Sequence, residues 1–313
     1  MSAGPNLTKN IGMEFADIIT KRIEGENDPK KPVNILICFS KKQTGKALGE
    51  ITHKMIRNKP GKSSITMLNL INREQAEKIG DENIYKSELF ADIHVIGEAD
   101  RLTVRTFVKH AENFVAEVVN TAEEQNCNII FFGVGQNIFN ASLWNKYVKL
   151  RNEANIVADE DYQRELGEKA VLALRNISTL LNRHEQAIGI FIPNNFPGDV
   201  KRIFVPILKE SDICTFPYFY QIAKNTDVSV MIWDAIGIIE SNVKLQKTFQ
   251  YISRKTDSRM RLWNNNKKIE NDFISEQDLM IIGYDGWEKL IGTPLTWIDN
   301  LPSVLVIKDK RST

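Results

Sequence analysis

Cysteine is scarce in this chain. Cys38, Cys127 and Cys214 are widely separated, no CxxC occurs, and two of the three lie inside apolar runs. This excludes a disulfide framework and a cysteine-based zinc site, and it reads as reduced core thiols of a cytosolic protein. His53, His94, His110 and His184 are equally dispersed, without metal-ligand spacing. His53 and His110 are expected on helices in solvated or capping roles, and His94 inside a strand. A charge excess is missing as well: 41 Lys plus Arg stand against 40 Asp plus Glu. That balance points away from nucleic acid and from an anionic membrane surface as partners.

Long hydrophobic runs are also absent. The longest, Val228 to Ile239, is broken by Asp234 and falls short of the roughly 18 apolar residues that a membrane helix needs. The first residues, MSAGPNLTKN, lack the basic and apolar regions of a secretion signal. The chain is expected not to span a membrane, which leaves room for a membrane-embedded neighbour. Catalytic signatures are missing too: no GxxxxGK[ST], HExxH or GxSxG occurs. Gly133-Val134-Gly135 has Ile138 where a dinucleotide fingerprint would place its third glycine, and it follows a fourth strand, not a first. The acidic run Asp159-Glu160-Asp161 has no base or nucleophile beside it. No enzymatic activity is expected.

What remains is an alternation of elements. An apolar content of 42% with 26% charged residues over 313 positions fits a globular protein of two ordinary domains. Residues 1–32 contain one amphipathic piece, Met13 to Ile23, and then a polar linker, GENDPKKP. Apolar runs predict strands at Val33–Phe39, Ile65–Leu70, Ile93–Ile96, Asn128–Gly133 and Ala187–Ile192. Helical spacing predicts helices at Thr44–Arg57, Glu74–Leu89, Thr103–Gln125 and Glu165–Leu181. The series restarts at Arg202–Leu208. It continues with a helix at Asp212–Ala223 that Pro217 should kink or delay, a strand at Val228–Trp233, a helix at Val243–Ile252 and a strand at Arg259–Trp263. A closing unit spans Asp278 to Ile307. This order predicts an α/β protein with two parallel, doubly wound sheets. The domains run over 33–193, with a largely helical insertion at about 138–185, and over 200–309.

In such sheets ligands gather beyond the carboxyl ends of the strands. The candidates are Ser40, Gly133 and Gly135 in the first half, and Lys209, Glu210, Ser211 and Asp212 in the second. The closing unit adds more. Leu279–Ile282 breaks on Gly283-Tyr284-Asp285-Gly286, a short helix follows, and Gly292-Thr293 ends it. Glycines at a strand-to-helix turn let backbone N–H groups approach a ligand; equally, they simply turn the chain. Trp287 and Trp297 flank the helix and are expected to pack against the sheet, with a domain or dimer interface as the second reading.

These same residues carry a family resemblance. Gly283-x-x-Gly286, then Gly292-Thr293 and a final Pro-Ser-Val-Leu-Val-Ile strand, resemble the end of a universal stress protein domain, a fold of the adenine nucleotide alpha hydrolase-like type. That family's ATP signature separates its second and third glycines by about nine residues; here five, Trp287 to Ile291, intervene. The two tryptophans are similar to a particular relative, the tandem cytoplasmic C-terminal region of bacterial monovalent cation/proton antiporters. The resemblance implies a non-enzymatic regulatory or sensor region of a sodium (or potassium)/proton antiporter, on the cytoplasmic side of the inner membrane. Its implied partner is the membrane-embedded antiporter domain of the same polypeptide; a homodimer and a small-molecule ligand stay open. ATP or a related adenine nucleotide is the implied ligand class, with Gly283, Gly286, Gly292, Thr293, Asp212 and Ser211 as the residues that would hold it. A free-standing tandem stress protein binding ATP is the alternative. A hydrolase or nucleotidyl-transferring relative is a third reading, with no reactive group to support it.

Overall fold

The computed structural model describes residues 32–58, 63–134, 168–183, 186–264 and 268–309. Its first half runs β1 (Asn34–Phe39), α1 (Lys42–Ile56), β2 (Ser64–Ile71), α2 (Arg73–Lys78), α3 (Glu82–Ala99) and β3 (Thr103–His110). It goes on through α4 (Phe114–Glu124), β4 (Ile129–Gly133), α5 (Glu168–Arg183) and β5 (Ala187–Ile192). The second half begins with β6 (Arg202–Ile207), a 3-10 turn (Glu210–Thr215), α6 (Phe216–Asn225), β7 (Ser229–Asp234), α7 (Ile238–Ser241) and α8 (Val243–Lys255). It ends with β8 (Met260–Leu262), α9 (Asn271–Ser275), β9 (Leu279–Gly283), α10 (Tyr284–Ile291) and β10 (Ser303–Lys308). The Met13–Ile23 segment and most of the expected insertion at 138–185 lie outside the described residues.

The strands form one ten-stranded sheet in the order β3-β2-β1-β4-β5-β10-β9-β6-β7-β8. If each half's strands are counted from its own start, the halves read 3-2-1-4-5 and 5-4-1-2-3. The same topology thus occurs twice, as an internal duplication requires. Within each half every pairing is parallel; the join is antiparallel, Val304 facing Ile192, Leu305 facing Phe191 and Ile307 facing Gly189. The two sets of strands therefore run in opposite senses. Their carboxyl ends, where a ligand would sit, lie on opposite margins of the sheet.

Alternation along the strands sorts the core into two layers. Ile35, Ile37 and Phe39 of β1 face a layer built with α1, α3, α6 and α8, while Leu36 and Cys38 face one built with α4, α5, α9 and α10. The central strands are apolar throughout because both faces are covered. All three cysteines are buried and free, and burial pushes the Cys127 thiol up to about 11. Across the join, Asn225 at the end of α6 donates from Nδ2 to the carbonyls of Lys54 (3.1 Å) and Met55 (2.8 Å). One half thereby satisfies the last carbonyls of a helix in the other.

Two expectations are corrected. Ile93–Ile96 is not the third strand; it lies in helix α3, where Ile93 is seated on α1 at Gly49, whose added Cβ would meet Ile93 Cδ1 at 2.0 Å. The third strand is Thr103–His110, expected as the start of a helix. Its β-branched and aromatic alternation, TVRTFVKH, suits a strand paired on one side, and it forms the outer edge beside β2. The helical spacing read there holds only for Phe114–Glu124. His94 accordingly sits exposed on a helix, and His53 hydrogen-bonds the Asp100 carboxylate. Pro217 occupies the first turn of α6, where its missing N–H costs nothing, so the preceding residues form a 3-10 turn and no kink arises.

The join depends on a close fit at Gly189, where a Cβ would lie 2.4 Å from Phe131 Cδ1 and 3.2 Å from Leu305 Cδ1. Gly189→Val is expected to destabilise the protein by about 1–3 kcal/mol through overpacking. Urea unfolding checks this, and it should remain one transition because the two strands at the join belong to both halves.

Candidate functional site

At the margin where β6, β9 and β10 end, the chain organises itself around one carboxylate. Asp212 stands in the 3-10 turn after β6 and is 0% exposed. Its Oδ2 accepts the N–H groups of Leu208 and Lys209, both at 2.8 Å, and its Oδ1 accepts the N–H of Gly286 at 2.9 Å. The first two bonds close the turn on itself. The third reaches 74 residues along the chain to the first turn of α10.

This contact explains the glycines. A Cβ at Gly283 would lie 2.3 Å from Asp212 Oδ1, and one at Gly286 would lie 2.1 Å from Oδ2. Both positions are glycine because a buried carboxylate fills the space that a side chain would need. The Gly286 N–H, at the start of α10, is turned toward an anion of the chain itself. Among the described residues no cation pairs with Asp212. Burial pushes its pKa up to about 6, the three N–H donors pull against that rise, and the nearby Asp285 carboxylate adds to it.

Around this centre the exposed surface adds two more ties between the turn and α10. Ser211 Oγ donates to Asp285 Oδ2 at 2.6 Å, and Lys289 Nζ donates to the Leu208 carbonyl at 3.1 Å. Lys308 of β10 lies over the Tyr284 ring, 4.8 Å from its centroid. Four of the expected site residues, Asp212, Ser211, Gly283 and Gly286, are thus brought together. Gly292 and Thr293 are not. They stand beyond Ile291 at the far end of α10, about 12 Å of helix from its start, and Thr293 Oγ1 donates to the Lys289 carbonyl at 2.8 Å. Trp287 and Trp297 are buried at 2% and 3% exposure in the layer behind α10, and Trp297 packs against Phe204 and Trp233.

A second carboxylate repeats the device one strand over. Asp234 ends β7 and accepts the N–H groups of Ile238 (3.0 Å) and Ile239 (2.7 Å), capping α7. In the sequence Asp234 stands out only as a break in an apolar run. An acid at a strand end, four residues before the first N–H groups of a helix, was the available signal.

On the opposite margin, Ser40 is exposed and Gly133 packs under α1, where a Cβ would meet Thr44 Cγ2 at 2.0 Å; Gly135 lies outside the described residues. Between α1 and the β5–β6 connection lies a cleft of about 410 Å³ lined by Lys41, Lys46, Glu50, Phe196 and Pro197. Burial raises the pKa of the Glu50 carboxyl, and among the described residues its Oε2 has no hydrogen-bond partner. Among the described residues no group of three His, Cys, Asp or Glu could hold a metal ion.

Gly286→Ala is expected to cost about 1–3 kcal/mol by forcing a methyl into the Asp212 carboxylate. Asp212→Ala should also destabilise, since it leaves buried N–H groups without an acceptor. The double variant should lose less than the sum, because the second substitution removes the atoms that the first one strikes. A double-mutant cycle by urea denaturation checks the sign of the coupling.

No family model and no curated protein matches the sequence. Among solved structures, a functionally unknown protein from Pseudomonas aeruginosa is similar at 12% identity and a TM-score of 0.45, covering 91% of this chain and 96% of that one. A candidate universal stress protein from the same species is similar at 12% identity and a TM-score of 0.45, covering 90% and 94%. The α/β architecture described above rests on the strand order and pairing, not on these likenesses.

Proposed function

We propose that this chain is a non-enzymatic regulatory region of a sodium (or potassium)/proton antiporter, acting on the cytoplasmic side of the inner membrane. The observation that carries the non-enzymatic part is the closure of the Gly283–Gly286 turn on Asp212. A glycine turn filled by a carboxylate of the chain itself supports a structural role for that turn over one in holding a nucleotide in a reactive pose. The transporter part is supported by the sequence, through the glycine and tryptophan pattern from Gly283 to Trp297. No helix among the described residues is long and apolar enough to cross a membrane. The proposed partner, implied by the resemblance, is the membrane-embedded antiporter domain of the same polypeptide.

In this reading the chain acts by differential affinity. It contacts one state of the transporter better than another, and whatever ligand or second copy binds it shifts that balance by the same free energy. The exposed margins of the sheet, carrying Lys209, Glu210 and Asp285 on one side and the Lys46–Glu50 cleft on the other, are the surfaces available for such contacts.

Two measurements test the proposal. An antibody to this chain should detect, in fractionated native cells, a membrane-bound product much larger than 35.8 kDa. A soluble product of that size would overturn the antiporter assignment. Titration of the purified chain with ATP should give no saturable heat that Gly286→Ala removes. Tight binding lost in that variant would favour the free-standing ATP-binding reading instead.

A further inference from the structure

The bonds around Asp212 are unequal, and the inequality has a consequence. Oδ2 accepts two N–H groups, both from its own turn, whereas Oδ1 accepts only the N–H of Gly286. A proton arriving at this carboxylate goes to the oxygen with fewer donors, Oδ1. There it turns a charged acceptor into a hydroxyl, which keeps only a weak acceptor lone pair and brings its own proton toward the Gly286 N–H, so the bond loses its charge assistance and its favourable geometry.

We propose that Asp212 is a proton-operated clasp: ionised, it ties the turn after β6 to the start of α10; protonated, it releases Gly286 while the turn stays closed. The bond that opens is the one spanning 74 residues; the two that persist are local. After release, α10 is held at this end by the exposed Ser211–Asp285 bond and the part-buried Lys289–Leu208 bond.

The surroundings favour such a transition near neutral pH. The carboxylate is fully buried without a cation among the described residues, so its ionised form rests on three N–H dipoles alone. The titratable groups on the turn and the helices packed against it are Lys209, Glu210 and Cys214 on the turn itself, Tyr284, Asp285, Glu288 and Lys289 on α10, and Tyr218, Tyr220 and Lys224 on α6. Lys308 and Asp309 stand at the end of β10, and Asp309 accepts the Tyr218 hydroxyl of α6 at 2.6 Å. On β9 there is none, and Arg202 of β6 stands at that strand's opposite end. Asp285 is the one whose charge acts on Asp212, opposing its ionisation. The sign of the linkage follows. The folded protein holds this proton up to about pH 6, whereas an unfolded aspartate releases it near pH 4. The protonated form therefore contributes stability that is fully present below about pH 4 and is lost as the pH rises through about 6. The clasp is a property of the fold and stands whether or not the chain regulates a transporter.

Gly286 is the only glycine preceded by aspartate in the sequence. Labelling with carbonyl-13C aspartate and 15N glycine thus isolates its amide signal in the full chain. Between pH 7.5 and 5 that amide proton should move upfield with a midpoint near 6, and Asp212→Asn should abolish the movement. Asp285→Asn, labelled on the asparagine carbonyl because its new Asn-Gly pair is then the only one in the sequence, should retain the movement and lower the midpoint. A flat profile, a midpoint near 4, or a transition that survives Asp212→Asn or vanishes in Asp285→Asn would each overturn the proposal. Should Asp212→Asn fail to fold, the Asp212 carboxyl carbon, followed in the unaltered chain, must show the same midpoint as the Gly286 amide; a different midpoint would overturn it equally.

Discussion

The antiparallel pairing of β5 with β10 sets the arrangement of everything else. Each half supplies a parallel five-stranded sheet, and a parallel sheet is stable only when both its faces are covered and its edges are managed. Joining the two fifth strands removes an edge from each half, makes one sheet of ten, and lets the helix layers run across the join. The capping of α1 carbonyls by Asn225 shows how closely the layers meet there. The reversed sense of the halves also follows from this single pairing, and with it the placement of the two sets of strand ends on opposite margins.

At the second margin a glycine turn after a strand is closed by an acid of the chain itself. Glycines after a strand can serve a bound anion or an internal one, and the backbone geometry is the same in both cases. Here the anion is Asp212, and the fit is close enough that neither Gly283 nor Gly286 has room for a Cβ. Asp234 and α7 repeat the solution with a different strand and no glycine constraint. Two adjacent strands thus end on carboxylates that satisfy backbone N–H groups.

Much of this was legible in the residues. Apolar runs such as Ala187–Ile192 and Leu279–Ile282 located their strands to within a residue or two, because each is unbroken by polar residues and lies in a strand covered on both faces. Expectation and structure part where the run is broken by a polar residue, as at His94, or is half-exposed. Ile93–Ile96 is four residues long and fits a buried helix as well as a strand, while Thr103–His110 mixes charges into its alternation because it lies at the sheet edge with one side unpaired. The candidate site was legible as a set of residues and illegible as an arrangement. Asp212, Gly283 and Gly286 were all singled out, yet nothing in their spacing could show that the acid fills the turn. Their contact spans 74 residues and belongs to tertiary structure. The distance from Gly286 to Gly292 did carry information: five intervening residues are just enough to finish α10, so the later glycine and Thr293 fall at the helix end instead of returning to its start.

A closely packed sheet of this kind has little freedom to deform. Its interior is filled on both faces, and small displacements in such a core are resisted at crystal-like density. A response to a ligand, a partner or a proton must therefore arise at the strand ends, where single hydrogen bonds decide between discrete arrangements. Asp212 stands at such a point. The 3-10 turn that carries it packs against both β9 and β10, and Cys214 of that turn approaches the Ile307 carbonyl of β10 with its Sγ at 3.9 Å. Because β10 is itself the strand that pairs with the first half, a change at this turn is one strand away from the join on which the whole sheet depends. That proximity, more than any feature of the glycines, makes the second margin the place where regulation of this fold would have the largest reach.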